Sequence, residues 1–253
     1  IGFLDMREKN IENEEIVTIK ESLKATKGNW PWILIVLANL IYWTAYSARN
    51  AALPYYFQYN LDDKGLISFF NGFSIIQSIG MASVPFFCRF LHKWGTTVFM
   101  LAMTMVGQVW IGFAGSNVTS ALIGWCLACI GSGSACTMFF AMVGDTVDFG
   151  EWKNGIRANG FLTAMGASFC IQMGSGFGSF IAARIMATFG FSAAKASQSA
   201  ASLHSISFTF IWIPFIIYAL SLICMVIYRK WERHEPIVQE ELAERRAAAK
   251  SAN

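Results

Sequence analysis

SISFTFIWIPFIIYALSLICMVIY, residues 205–228, contains no Asp, Glu, Lys, Arg or His and is followed at once by Arg229 and Lys230. An α-helix rises about 1.5 Å per residue, so about 20 apolar residues cross a hydrocarbon core of about 30 Å. This run meets that length, and basic residues stand where it would leave the lipid. Five further runs read the same way, at residues 31–57, 66–91, 96–114, 119–143 and 160–189. In lipid every backbone N–H and C=O must be bonded within the protein, which leaves helices and closed barrels. A barrel would show segments of about ten residues with alternating polarity. These runs are continuous and too long for that, so the expected fold class is an all-α membrane protein with six transmembrane helices.

Composition agrees. The 253 residues are 55% hydrophobic and 14% charged, against roughly 25% charged in soluble domains. Mean hydropathy is +0.46. Phe (22) and Trp (9) are abundant, as lipid-facing surfaces and interfacial belts require. The charge asymmetry sets an orientation. Fifteen of the nineteen Lys and Arg fall in residues 1–29, 89–93, 153–157 and 229–250, whereas Lys64 and Lys195 alone fall in the loops of the opposite side. The positive-inside rule puts both ends in the cytoplasm. The chain divides into a lead-in (1–29), a six-helix bundle (30–229) and a tail (230–253), the tail read as a short charged helix, solvated and partly frayed. Trp30 and Trp32 flank Pro31 at an interfacial helix start. Nothing favours nucleic acid: the net charge of +3 lies in loops and ends. The chain opens on Ile1 with a polar, charged stretch, which reads as part of a longer product rather than a signal peptide.

The most informative segment follows the fourth run: Gly144-Asp145-Thr146-Val147-Asp148-Phe149-Gly150-Glu151-Trp152-Lys153-Asn154-Gly155-Ile156-Arg157-Ala158-Asn159-Gly160. It is expected to be a cytoplasmic loop between two helices. Asp145, Asp148 and Glu151 recur at i, i+3 and share a stripe; Lys153 and Arg157 are i, i+4. Such stripes at a membrane face can form ion pairs that hold a gate shut, or can merely set topology.

The pattern closely resembles the signature of the glycoside–pentoside–hexuronide:cation symporters of the major facilitator superfamily. The resemblance extends over essentially the whole chain as that family's C-terminal six-helix half. It implies two six-helix halves around a central cavity, working by alternating access, with a sugar, glycoside or hexuronide moved together with H⁺ or Na⁺. It implies that Asp145, Asp148, Glu151, Lys153 and Arg157 form this half's part of a cytoplasmic gate. It also implies that the carboxylates holding the cation belong to an N-terminal half, the expected partner besides the lipid bilayer and the sugar, and that no cofactor or resident metal is needed. The expected location is a bacterial inner membrane. Arg89-Phe90-Leu91-His92-Lys93-Trp94-Gly95 is similar to the basic loop facilitators carry between the second and third helices of each half. Gln172 departs from the family, where many members carry Lys, so a charge-coupled role there is in doubt.

Ionisable residues inside a span are expensive and usually face a cavity or a partner. Arg49 is the main case. Asn39, Tyr42, Trp43, Tyr46, Arg49 and Asn50 recur at helical spacing. Aromatic faces and amides suit a sugar's C–H face and hydroxyls; the same stripe could pack against neighbours with Arg49 reaching the outer interface. Thr137 and Gln172 are further lining candidates, Thr137 with Cys136 equally readable as packing. Arg184 reads as a side chain reaching the outer interface. Gly174 and Gly178, Ser175 and Ser179, and Gly131 and Ala135 are small residues four apart that let helices approach closely.

Enzymatic readings find little support. His92, His204 and His234 are isolated, with no HExxH or nucleophile motif. The six cysteines lie in apolar runs; Cys126 and Cys129 form a CxxC without a matching pair, and packing explains them. A half-transporter that serves as a non-transporting partner, sensor or truncated product is the alternative to symport.

Overall fold

The computed structural model describes residues 26–155, 158–195 and 197–251, and every element among them is helical. Helix α1 (Trp30–Tyr55) runs on through a wide π turn, Tyr56–Asn60. Helix α2 (Gly65–Phe73) is followed, after Ser74 and Ile75, by α3 (Ile76–Ala114). Then come α4 (Val118–Asn154), the short α5 (Asn159–Ala164) leading through a π turn into α6 (Cys170–Thr188), α7 (Ala200–Glu232) and α8 (Glu235–Ser251).

The caps explain the boundaries. Asn29 accepts from the Trp32 N–H at 3.1 Å with Pro31 in the first turn. Asn117 and Ser199 do the same at the starts of α4 and α7. Each satisfies an amide that the helix leaves without an acceptor. At the other end of α4, Gly155 takes a left-handed conformation (φ 67°) and its N–H bonds Glu151 O at 2.8 Å, the usual way a helix closes its last turn.

Four helical stretches are long and apolar enough to cross a membrane: Trp30–Asn60, Gly65–Ala114, Val118–Asn154 and Ala200–Glu232. Gly65–Ala114 has 50 residues, about 75 Å if straight. It is not straight. His92 (φ 57°, ψ −178°) breaks the helical path, and the two arms of α3 fold beside one another, with the Phe87 and Phe99 rings 5.7 Å apart. Both arms lie on the same turns of α4. Ser134 Oγ donates to Gly80 O on the first arm at 2.7 Å, and a Cβ added at Gly131 would stand 2.5 Å from Thr104 Oγ1 on the second. The small residues are what permit this approach. On the other side α1 packs on α6 and α7, with Ser47 Oγ donating to Ser175 O (2.9 Å) and Ser221 Oγ to Ala38 O (2.8 Å). Gly174 sits against Trp43 and Gly178 against the α1 backbone, the close contact expected from their spacing.

Large apolar side chains stand outside the bundle: Phe113 is 81% and Ile75 76% exposed, and Phe86, Phe90 and Phe180 are similar. Leaving so much apolar area in water would be costly at about 25 cal/mol per Å². Lipid is the solvent that suits it.

Two expectations need correction. The segment after the fourth run is not a loop over most of its length: α4 continues through Asp145, Asp148 and Glu151 to Asn154, because nothing breaks the helix before Gly155 and the acidic stripe finds bonds to neighbours. The tail is the charged helix expected, but one face of it is packed rather than solvated. Val238 and Leu242 of α8 are buried in the same cluster as Phe149 and Trp231, and Trp152 Nε1 donates to Glu241 at 2.7 Å.

Candidate functional site

The hinge end of the bundle, where α1 begins and α4 ends, is braced by charge. Lys93, just past the corner of α3, donates to Asp145 Oδ2 at 2.7 Å and to Glu235 Oε1 at 3.1 Å. It thereby joins three helices that are far apart in sequence. The side chains are 42%, 19% and 12% exposed respectively, so the cluster is only partly screened. Burial pulls the Lys93 ammonium down, but the hydrogen bond and charge of Asp145, with those of Glu235, outweigh it and leave it raised. Burial pushes the Glu235 carboxyl up, the nearby Asp145 charge adds to that, and Lys93 opposes both without reversing them. The next residue is held as well: the Trp94 N–H bonds Glu232 at 2.8 Å.

The start of α1 is pinned to the same end. Asn29 Nδ2 donates to Thr146 O (2.9 Å), Trp32 Nε1 to Leu162 O (3.1 Å) and Lys153 Nζ to Gly28 O (2.9 Å). Of the gate residues expected from sequence, Asp145 and Lys153 take these places. Asp148 and Glu151 are half-buried on the same helix and engaged with neighbours. Arg157 lies outside the described residues. Sequence reasoning missed Lys93 and Glu235 as members. Lys93 had a signal, since it belongs to the basic stretch 89–95; Glu235 had none, because its role depends on α8 docking.

Within the bundle, Tyr42 is buried and donates to Ser132 O at 2.7 Å, and Asn39 donates to Gly166 O at 2.7 Å. These two bonds hold α1 to α4 and to the turn ahead of α6. Trp43, Tyr46 and Asn50 are half-buried; Trp43 and Tyr46 meet edge to face at 5.4 Å. The Tyr46 hydroxyl reaches Gln77 on α3 at 3.4 Å. Thr137 bonds back to Gly133 O within α4, and Gln172 is exposed on α6. Arg49 does not reach an interface: it is 1% exposed, under the rings of Trp125 (4.7 Å) and Tyr46 (5.3 Å). The stripe therefore splits into members committed to packing and members still accessible.

A concavity of about 660 Å³ lies between the second arm of α3 and α7, lined by Met105, Val109, Trp110, Phe113, Phe215 and Leu222 among others. It contains none of the candidates and almost nothing that could bond a hydroxyl, so it suits acyl chains. No group of three or more His, Cys, Asp or Glu that could hold a metal occurs among the described residues.

The profile of the family described as MFS/sugar transport protein matches residues 3–229. The chain belongs to that family. It is 32% identical over 243 residues to the isoprimeverose transporter of Lactiplantibacillus pentosus, covering 95% of this chain and 50% of that protein. It is 29% identical over 231 residues to a putative sulfoquinovose importer of Escherichia coli, covering 90% and 49%. Over 141 residues it is 33% identical to a putative 2,3-dihydroxypropane-1-sulfonate exporter of Escherichia coli, covering 55% and 31%. The chain spans about half the length of the first two. It is thus an integral, multi-pass membrane protein of a transporter family, not an enzyme's chain.

Proposed function

We propose that this chain is the C-terminal six-helix half of a secondary transporter that moves a sugar, glycoside or hexuronide with H⁺ or Na⁺ by alternating access. Similarity to proteins named for isoprimeverose and sulfoquinovose supports a carbohydrate substrate. Similarity to a protein named a symporter in Bacillus subtilis supports cation coupling. The corner of α3 at His92 supplies the extra crossing that makes Gly65–Ala114 two spans, and residues 159–188 supply the remaining one.

The observation that carries the reading is the Lys93–Asp145–Glu235 cluster. Alternating access in such folds is largely the rocking of one rigid bundle against another around a midplane site. A half that rocks as a body needs its helix ends tied together on the side that opens, and this cluster with the Asn29 and Lys153 bonds does so. Asp148, Glu151 and Arg157 then contribute to the contact with the opposing half, and the hinge end faces the cytoplasm. Trp43, Tyr46, Asn50, Thr137 and Gln172 line the sugar route, where rings stack on C–H faces and amides bond hydroxyls; Asn39 and Tyr42 support them from behind.

The test is uptake of labelled glycosides and hexuronides by cells expressing the complete transporter, with proton and sodium gradients imposed in turn. Accumulation driven by one gradient is expected. Failure of both gradients to drive uptake of any carbohydrate would refute symport and favour a half-transporter acting only as a partner or sensor.

A further inference from the structure

Arg49 is the most anomalous charge among the described residues. Its Nε and Nη1 are buried and have no hydrogen-bond partner, and no carboxylate pairs with it among the described residues. Desolvating a cation without a counter-charge is strongly unfavourable even after relaxation. The Trp125 and Tyr46 rings return part of this through cation–π attraction. Ring faces, however, are not hydrogen-bond acceptors of ordinary strength, and Nε and Nη1 remain without one. The Tyr218 hydroxyl, within electrostatic reach of Arg49, is also buried and without a partner. A cluster of unsatisfied donors around a full positive charge calls for an acceptor that carries negative charge.

The surroundings are those of a site rather than a packing defect. The two rings covering Arg49 are each bonded to one side of the break between α2 and α3. Trp125 Nε1 donates to Phe70 O at 2.9 Å, ahead of the break. Tyr46 reaches Gln77 beyond it. Between them Ser74 and Ile75 turn with tight bonds, Ser74 N to Asn71 O and Gln77 N to Ser74 O. Both residues keep right-handed helical torsions, so the helix only tightens to i, i+3 bonding here without leaving its path, and a 3₁₀ turn inside a helix often marks a hinge. An occupant at Arg49 would therefore press on rings tied to both sides of that turn.

We propose that Arg49 is the binding point for an anion on the transport route, an oxyanion substituent such as the carboxylate of an acidic sugar or a free inorganic anion, admitted when Tyr46 and Trp125 move with the α2–α3 break. This rests on the transport reading above and deepens it by naming the charge of what binds.

The test uses the complete transporter, purified in detergent, with tryptophan fluorescence as the readout because Trp125 covers the site. The probes are sodium glucuronate, glucose and sodium chloride at matched sodium. In the wild type, anions shift the fluorescence at concentrations where glucose does not. Arg49→Gln raises the half-saturating anion concentration by at least about tenfold, the loss expected for one charged hydrogen bond, and Arg49→Lys by less. Response to glucuronate alone places the anion on the solute, and an equal response to chloride places it in solution; both support the site. No anion response in the wild type, or Arg49→Gln and Arg49→Lys titrating like the wild type, overturns it. If Arg49→Gln fails to elute as a single species, the Arg49→Lys titration decides. Gradient-driven uptake with a flat anion titration sinks this inference alone. An anion titration without gradient-driven uptake sinks the symport reading alone.

Discussion

The chain holds two conspicuous cations, and they live in opposite ways. Lys93 is half-exposed at the hinge end and touches two carboxylates from two other helices. Arg49 is fully enclosed beneath the rings of Tyr46 and Trp125 and pairs with no carboxylate among the described residues. Where water can reach, the chain provides counter-charges in excess; where it cannot, it leaves a guanidinium incompletely satisfied. Desolvation makes the second arrangement the more costly by far, so a stability argument explains the first cation and not the second. The contrast agrees with the roles proposed above, Lys93 tying helix ends together and Arg49 meeting an anion.

Several changes would break or sharpen that contrast. The largest effect is expected at the small-residue contacts between α3 and α4. Gly131→Leu forces a side chain into Thr104 and Met100; overpacking of this kind costs about 1–3 kcal/mol or more, visible as a lower melting temperature in detergent, while Gly144→Ala, inside the same helix with open space around it, holds or slightly raises it. Leu242→Ala removes a buried anchor of α8 and should destabilise docking by about 2 kcal/mol, read as faster proteolysis of the tail. Arg49→Met carries the sharpest sign. Replacing an uncompensated buried charge by an apolar chain of similar size is often neutral or stabilising, so the melting temperature should hold or rise while transport of the anionic solute is lost. A large fall in melting temperature would mean that Arg49 is a structural residue. Lys93→Gln should cost at most about 1 kcal/mol, because its ion pairs are partly screened, and Lys93→Glu with Asp145→Lys should recover what either change alone removes.

The smallest effect concerns pH. The Glu235 carboxyl is raised in the folded state, first by burial and then by Asp145, so the folded chain binds that proton more readily than the unfolded one. Stability from this group therefore grows as pH falls through its raised folded value and is complete below its ordinary value. Lys93 is raised too; its contribution is complete below its ordinary value and disappears only as strongly alkaline pH passes the raised one. Tail protection should thus be slightly greater in mild acid than at neutral pH, and Glu235→Gln should abolish that slope.

Much of the architecture was legible because hydropathy is a local property. Residues 205–228 announce a membrane helix by themselves, Arg89 to Gly95 mark the turn that the structure places at His92, and the glycines four apart foretell close helix contacts. The end of α4 was not legible in the same way. Asp145, Asp148 and Glu151 look like a loop when read alone, and become a helical stripe once Lys93, far away in sequence, supplies a charge. The docking of α8 rests on Val238 and Leu242, two apolar positions in a strongly charged helix, too few to set a stripe. At the site, an arginine inside a span was visible, but its isolation was not: that Trp125 would cover it and that no carboxylate would meet it are facts of packing. Asn39 and Tyr42 looked like their neighbours on the stripe until their bonds to Gly166 and Ser132 set them apart.

The central claim is that a carbohydrate and a cation cross together, and the most direct test reads the cation while only the sugar is supplied. In proteoliposomes holding the complete transporter with no imposed ion gradient, an inward sugar gradient should drag protons or sodium inward, seen as internal acidification or as entry of labelled sodium at a fixed ratio to sugar. Sugar entry with no accompanying movement of either ion would contradict the account.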